Sequence, residues 1–444
     1  MEQPILHQDA GCVIGQGVKK MDKIIYDRYI QVLNEELITA LGCTEPIAIA
    51  YAGATARKYL GCMPKQITVY CSGNIIKNVK GVTVPNSGGQ KGVEAAAILG
   101  ALGGCAEKQL EVLSTVTKED IDRSRELAAA QLCRVKLMEG VASLYIRLEA
   151  VAASDTVSVE IVDRHTNIVR IVKNGENLLD KEYSLNRGDA DFGRDFITVN
   201  GILDFAEEVH IGNVKQLLDH QIQCNMTIAE EGLHRPYGAN VGKNILKLYG
   251  NESVGARAKA YAAAGSDARM SGCDLAVVVN SGSGNQGITV SVPVVQYAKE
   301  LKVSKEKLYR ALVISNLIAA HLKTGIGPLS AFCGAVSAST GSGAGITYLR
   351  GGSRKQIIFT IGNTLGSVSG IVCDGAKPSC AAKIASALEA AILADKMAFN
   401  NDYFKGGEGI LTDDIEDTIR NIGRLGREGM HETDTEILNM MVGK

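Results

Sequence analysis

Three cysteines late in the chain stand in settings that suit a metal ligand better than a packed core. Cys333 lies in Leu329-Ser330-Ala331-Phe332-Cys333-Gly334-Ala335, and Cys373 and Cys380 bracket Cys373-Asp374-Gly375-Ala376-Lys377-Pro378-Ser379-Cys380. Gly375 and Pro378 favour a turn there, which can bring two sulfurs together. From Thr324 to Leu349 no residue is charged, and half of those 26 residues are Gly, Ser or Thr. That stretch is too polar to cross a membrane, which takes about 20 mainly apolar residues. It suits helices packed closely through small side chains, with room left for something that is not a side chain. An iron–sulfur cluster held by thiolates is such an object. Any single cysteine can also serve as a small buried apolar filler, but a polar turn gives Cys373 and Cys380 no apolar core to fill. The spacing is neither the C-x-x-C of zinc ribbons nor a ferredoxin run.

Other residues could act beside such a centre. Cys43, in Leu41-Gly42-Cys43-Thr44-Glu45-Pro46, sits just before a helix that Pro46 can open. A helix N-terminus favours an anion and lowers a thiol pKa. Two glycine loops follow a similar plan: Asn86-Ser87-Gly88-Gly89-Gln90-Lys91-Gly92 and Asn280-Ser281-Gly282-Ser283-Gly284-Asn285-Gln286-Gly287. Each precedes a small-residue stretch and can present free backbone N–H groups to an anion. Neither matches the dinucleotide fingerprint or the P-loop. Two related loops suggest facing halves of one site, although each could be a plain turn.

The elements that must position these residues are mainly helical. Residues 1–20 read as a loose leader. Met21 to Ala40 carries apolar residues at helical spacing, and a second helix starts at Pro46. Gln66 to Cys71 alternates as a strand, and an alanine-rich helix follows the first glycine loop. Thr117-Lys118-Glu119-Asp120 resembles a capping box and starts a helix running to about Leu137. Leu144 to Val172 switches to period two, with Asp163 to Asn167 as a hairpin turn. His165, at that tip, is expected to be solvated, and this middle section to carry no site. From about residue 200 helices dominate; Ser304 to Lys323 is one, and Asp413 to Glu428 is a final amphipathic one. The expected fold is α+β and mainly α-helical: a helical iron–sulfur catalytic domain (21–105 and 216–444) with a smaller α/β insertion domain (106–215).

Composition narrows the function. The 444 residues are 45% hydrophobic and 22% charged with a net charge of −2. That describes an ordinary globular chain with no electrostatic footprint for nucleic acid or anionic membrane. The N-terminus lacks a signal-peptide pattern. Eleven cysteines, an odd number, then argue for reduced thiols in the cytoplasm.

Taken together, Gly42-Cys43-Thr44-Glu45-Pro46, Asn280 to Gly287, Leu322-Lys323-Thr324, Ser330-Ala331-Phe332-Cys333-Gly334 and Cys373 to Cys380 resemble the iron–sulfur-dependent L-serine dehydratase α-chains. They resemble the related L-cysteine desulfidases more closely. The resemblance covers nearly everything after the leader. It implies a 4Fe-4S cluster that acts as a Lewis acid, with Cys333, Cys373 and Cys380 as ligands and one iron left open. The last two cysteines are closer together here than in the serine dehydratases, so either Cys380 or Cys43 completes the set; Cys380 shares a turn with Cys373 and is preferred. The implied activity is β-elimination from L-cysteine to pyruvate, ammonia and hydrogen sulfide without PLP, for which no lysine stands out. Asn86, Ser87, Gly88, Asn280, Ser281, Gly282, Asn285 and Gln286 are expected to bind the small zwitterionic substrate. Arg269 and Lys323 are candidate partners for its carboxylate, and Cys43 is the candidate acid/base. L-serine dehydration by the same chemistry and a non-catalytic iron–sulfur sensor remain as alternatives. A homodimer is compatible with all of these.

Overall fold

A computed structural model describes residues 21–183 and 193–443. The leader assigned to residues 1–20 lies outside the described residues.

Helix α1 (Lys23–Glu36) is capped by Asp22, whose carboxylate accepts from the backbone N–H groups of Ile24 and Ile25. It stops short of Ala40, because Thr39–Leu41 forms a strand, β1. Helix α2 (Thr44–Leu60) follows, then β2 (Gln66–Ser72), α3 (Gly73–Lys80), α4 (Val93–Gly103) and α5 (Lys118–Ala129). The Thr117–Asp120 capping box of α5 is present, but the helix ends at Ala129. The segment expected to extend it forms β3 (Cys133–Met138) instead, which pairs parallel with β2. Strands β4 (Tyr145–Ala152), β5 (Asp155–Val162), β6 (Ile168–Lys173) and β7 (Glu176–Asp180) complete a six-stranded sheet in the order β3-β2-β4-β5-β6-β7. Only the β2–β3 pair is parallel. Strand β2 lies before residue 106, so the sheet is not confined to the 106–215 segment.

The rest is helical: α6 (Val199–Glu208), α7 (Lys215–His234), α8 (Val241–Tyr249) and α9 (Val254–Met270). After the short strand β8 (Ala276–Val278) come α10 (Gly284–Leu301), α11 (Lys305–Ile326), α12 (Gly334–Leu349), α13 (Arg354–Val368) and α14 (Cys380–Phe399). The expected last helix is split: α15 (Ile415–Arg424) passes through a wide π-type turn into α16 (His431–Val442). Among the described residues no helix is long and apolar enough to cross a membrane.

One core joins the inner face of the sheet (Val69, Leu148, Val159) to α2 and α4 (Ile47, Ile98). A second is built from α1, α6 and α11 to α13 around Tyr29, Phe205, Leu312 and Ile361. The uncharged stretch from Thr324 to Leu349 includes α12, nearly all of it buried. A Cβ at Gly345 would lie 2.8 Å from the Ala311 carbonyl oxygen of α11. Close backbone approach is thus what the small residues provide. It leaves the N-terminal ends of these helices to meet at one place.

Candidate functional site

Four helix starts border one cavity. Cys43 is the N-cap of α2, Ser283 of α10 and Cys333 of α12, and Cys380 is the first residue of α14. Each N-terminus carries unpaired N–H groups and partial positive charge, so together they favour anionic ligands. The cavity, about 100 Å³, is lined by Cys43, Glu45, His165, Arg269, Ser281, Gly282, Asn285, Gln286, Lys323, Cys333, Cys373 and Cys380, among others. A neighbouring cavity of about 200 Å³ shares His165, Ser281, Gly282, Lys323 and Pro328 with it.

Backbone pairing brings the cysteines together. The Cys333 N–H donates to the Ile371 carbonyl at 3.1 Å and the Cys373 N–H to the Ala331 carbonyl at 2.6 Å, zipping the two segments antiparallel. Gly375 adopts φ +94°, which turns the chain back so that Cys380 Sγ lies 3.7 Å from the Gly375 carbonyl oxygen. Lys377 and Lys383 both pair with Asp374 and, against the effect of burial, hold its carboxyl down at about 2. Burial and the adjacent Cys373 push the Cys333 thiol up to about 12. Cys380 is also raised, by burial first.

Burial thus keeps the Cys333 and Cys380 thiols protonated unless a cation shares the site, and a coordinating metal deprotonates a thiol outright. Among the described residues no group of three His, Cys, Asp or Glu side chains is placed to hold a metal ion. Three thiols distributed around a cavity instead suit a multi-iron cluster, whose corners each take one thiolate. Thiolates lining one cavity are the donors that an iron–sulfur cluster takes.

In the same cavity Cys43 Sγ donates to Glu45 Oε2 at 3.1 Å, and Thr44 donates to the Gly282 carbonyl at 2.8 Å. The expected lowering of the Cys43 pKa does not occur. Burial, reinforced by the Glu45 charge, raises it well above the usual thiol value and outweighs the helix terminus. His165 is likewise corrected: it is 7% exposed, not solvated, with Nε2 4.0 Å from Glu45 Oε1. Burial lowers its pKa, so the imidazole is neutral near pH 7. The hairpin of β5 and β6 thus carries a site residue, which period-two patterning gave no means to place.

Of the second glycine loop, Ser281, Gly282, Asn285 and Gln286 line the cavity. Asn285 Oδ1, Gln286 Oε1 and His165 Nε2 are buried without a hydrogen-bond partner among the described residues. Native proteins seldom leave such atoms orphaned except where a ligand completes them. Asn280 instead points into the protein, donating to Asn316 Oδ1 at 3.1 Å. Arg269 Nε donates to the Gly42 carbonyl at 2.9 Å and borders the cavity. Lys323 is buried between the two cavities, and burial brings its pKa down to about 8.

The first glycine loop does not face this site. Asn86 Nδ2 donates to the Leu113 carbonyl, Ser87 Oγ to the Gln90 carbonyl, and the Gly88 carbonyl accepts from Arg125. Its polar groups are spent on its own turn and on neighbouring backbone, and none of the three lines either cavity. The expected meeting of two Asn-Ser-Gly loops across one pocket is therefore corrected: a single loop lines the cavity, together with Cys43 and Glu45.

A family profile described as serine dehydratase alpha chain matches residues 107–439. The chain belongs to the serine dehydratase alpha chain family. A UPF0597 protein of Treponema denticola is 50% identical over 427 residues, covering 95% of this chain and 99% of the relative. One from Lachnoclostridium phytofermentans is 51% identical over 418 residues, covering 94% and 100%. A more distant one, from Parabacteroides distasonis, is 37% identical over 430 residues, covering 96% and 100%. The family match spans Cys333, Cys373, Cys380 and His165 alike, so the site is made largely of residues within it.

Proposed function

We propose that this serine dehydratase family member is a PLP-independent lyase that cleaves the Cβ–S bond of L-cysteine, yielding pyruvate, ammonia and hydrogen sulfide. The observation that supports it best is one cavity lined by Cys333, Cys373 and Cys380 together with Cys43, Glu45 and His165. Cys333, Cys373 and Cys380 would hold a 4Fe-4S cluster. When bound, it would supply an open iron as a Lewis acid for the leaving group.

The chain's own residues account for the rest. Lys323 and the N-terminus of α10 face the substrate carboxylate, and Asn285 and Gln286 offer amide oxygens to its ammonium. His165 Nε2 takes the α-proton, and the released C–H electron pair forms the Cα–Cβ double bond. The Cβ–S bond breaks and the sulfur leaves with its pair as hydrosulfide. Cys43, which holds its proton at neutral pH, gives it to that sulfur. Glu45, between the two, returns the proton from His165 to Cys43. The aminoacrylate released then tautomerises and hydrolyses to pyruvate and ammonia.

The family description favours serine as a second reading, with hydroxide in place of hydrosulfide. Sulfide is the softer and better leaving group for iron, which supports cysteine. Anaerobically reconstituted protein offered each amino acid separately tests this. The expected result is sulfide with equimolar pyruvate from cysteine at a kcat/KM well above that for serine. Pyruvate from serine but not from cysteine would overturn the substrate assignment, and no product from either would overturn the lyase reading.

A further inference from the structure

The C-terminal helix α16 lies against α3, and the two grip the cysteine turn. Lys77, on α3, has a side chain only 1% exposed. Its ammonium pairs with Asp434 of α16 and donates to the Cys373 carbonyl at 3.3 Å. The other Asp434 oxygen accepts from Asn74 Nδ2 at 3.1 Å. Lys80 of α3 donates to the Met441 carbonyl, and Gly73 leaves space for Leu438. Gly375 completes the grip: with φ +94° it packs against the Lys77 backbone carbonyl, where a Cβ would not fit.

A buried ion pair is seldom the most stabilising choice, since the cost of desolvating both charges can exceed their attraction. Well-packed apolar residues would join α3 to α16 at least as firmly. What the ammonium adds is a directed bond to the backbone of Cys373, next to a second buried cation, Lys323. An apolar pair cannot do that. We infer that Lys77 and Asp434 are positioning residues for Cys373, and that α16 holds the Cys373–Cys380 turn in its ligating shape; this rests on the reading of Cys373 as a cluster ligand. Partners that orient a metal ligand typically contribute 10–100-fold to metal affinity.

The test follows iron rather than turnover. Wild type, Lys77→Met, Asp434→Asn, Lys77→Arg and Leu438→Ala are reconstituted anaerobically, and iron loss to a chelator is timed by visible absorbance. Amide hydrogen exchange of residues 373–380 is measured on the iron-free proteins. The expected result is release at least about tenfold faster in Lys77→Met and Asp434→Asn. Their 373–380 amides should also lose protection while those of α12 keep it. Lys77→Arg should restore most of the wild-type behaviour, and Leu438→Ala, which trims α16 without touching the charge, should release iron slowly. Wild-type rates and protection in both charge variants would overturn the inference alone. Equal loss of protection throughout α12 would do the same, by showing a general loss of structure. Wild type that takes up no iron would overturn the cluster reading and this inference with it.

Discussion

The division of labour among the cysteines is a statement about single residues. Cys333 and Cys373 are tied by backbone hydrogen bonds beside Cys380, whereas Cys43 is bonded through its thiol to Glu45. Cys373→Ala should therefore lose the iron and its visible absorbance. Cys43→Ala should keep most of the iron and lose turnover; iron assays of the two variants check this. His165 gives a pH prediction. Burial sets its pKa below the usual histidine value of about 6.5, and a base must be unprotonated to act. Activity should hold through neutrality and fall as pH drops below that range. His165→Asn should lower kcat by roughly 10²–10⁴-fold. The little activity that remains should lack the acid limb, and an unchanged acid limb would assign it to another group.

At the scale of elements, the site depends on helix starts delivered to one point by close packing. The seam between α11 and α12 is one case, where a Cβ at Gly345 would lie 2.8 Å from the Ala311 carbonyl oxygen. Gly345→Val should cost about 1–3 kcal/mol by overpacking, read as a lower midpoint in urea unfolding of the iron-free protein. Because Cys333 is the N-cap of α12, the same variant should also bind iron less firmly. Much at this scale was legible in the chain. The small-residue stretch predicted close helices, the Thr117–Asp120 box predicted a helix start, and Gly42-Cys43 predicted a break before α2. Most of what failed was decided by non-local pairing. Cys133 to Leu137 does alternate apolar and polar residues, a strand signal that the helix expected to run on from Thr117 overrode, and it pairs in parallel with β2. Asn86 and Asn280 sit in similar local sequences, yet one is bonded to Leu113 and the other to Asn316. His165 could not be placed from its hairpin alone, since turn chemistry says nothing about what the turn docks against.

Across the whole molecule, one cavity collects residues from Cys43 to Cys380, with the sheet contributing His165 and the helices the thiols. A second cavity of about 200 Å³, lined by Glu35 and Arg164 among others, shares Lys323 and His165 with it. A chamber of about 100 Å³ has room for a small molecule, which suits an amino-acid lyase better than a sensor that must meet a large partner. The central claim is that the three thiols hold a cluster on which cysteine is cleaved. The most direct measurement is a single anaerobic titration of the iron-free protein with iron and sulfide, following bound iron and sulfide release from L-cysteine together. Activity should rise in step with iron and saturate at four irons per chain. Full activity in iron-free protein, or saturation with iron and no release, would contradict the account.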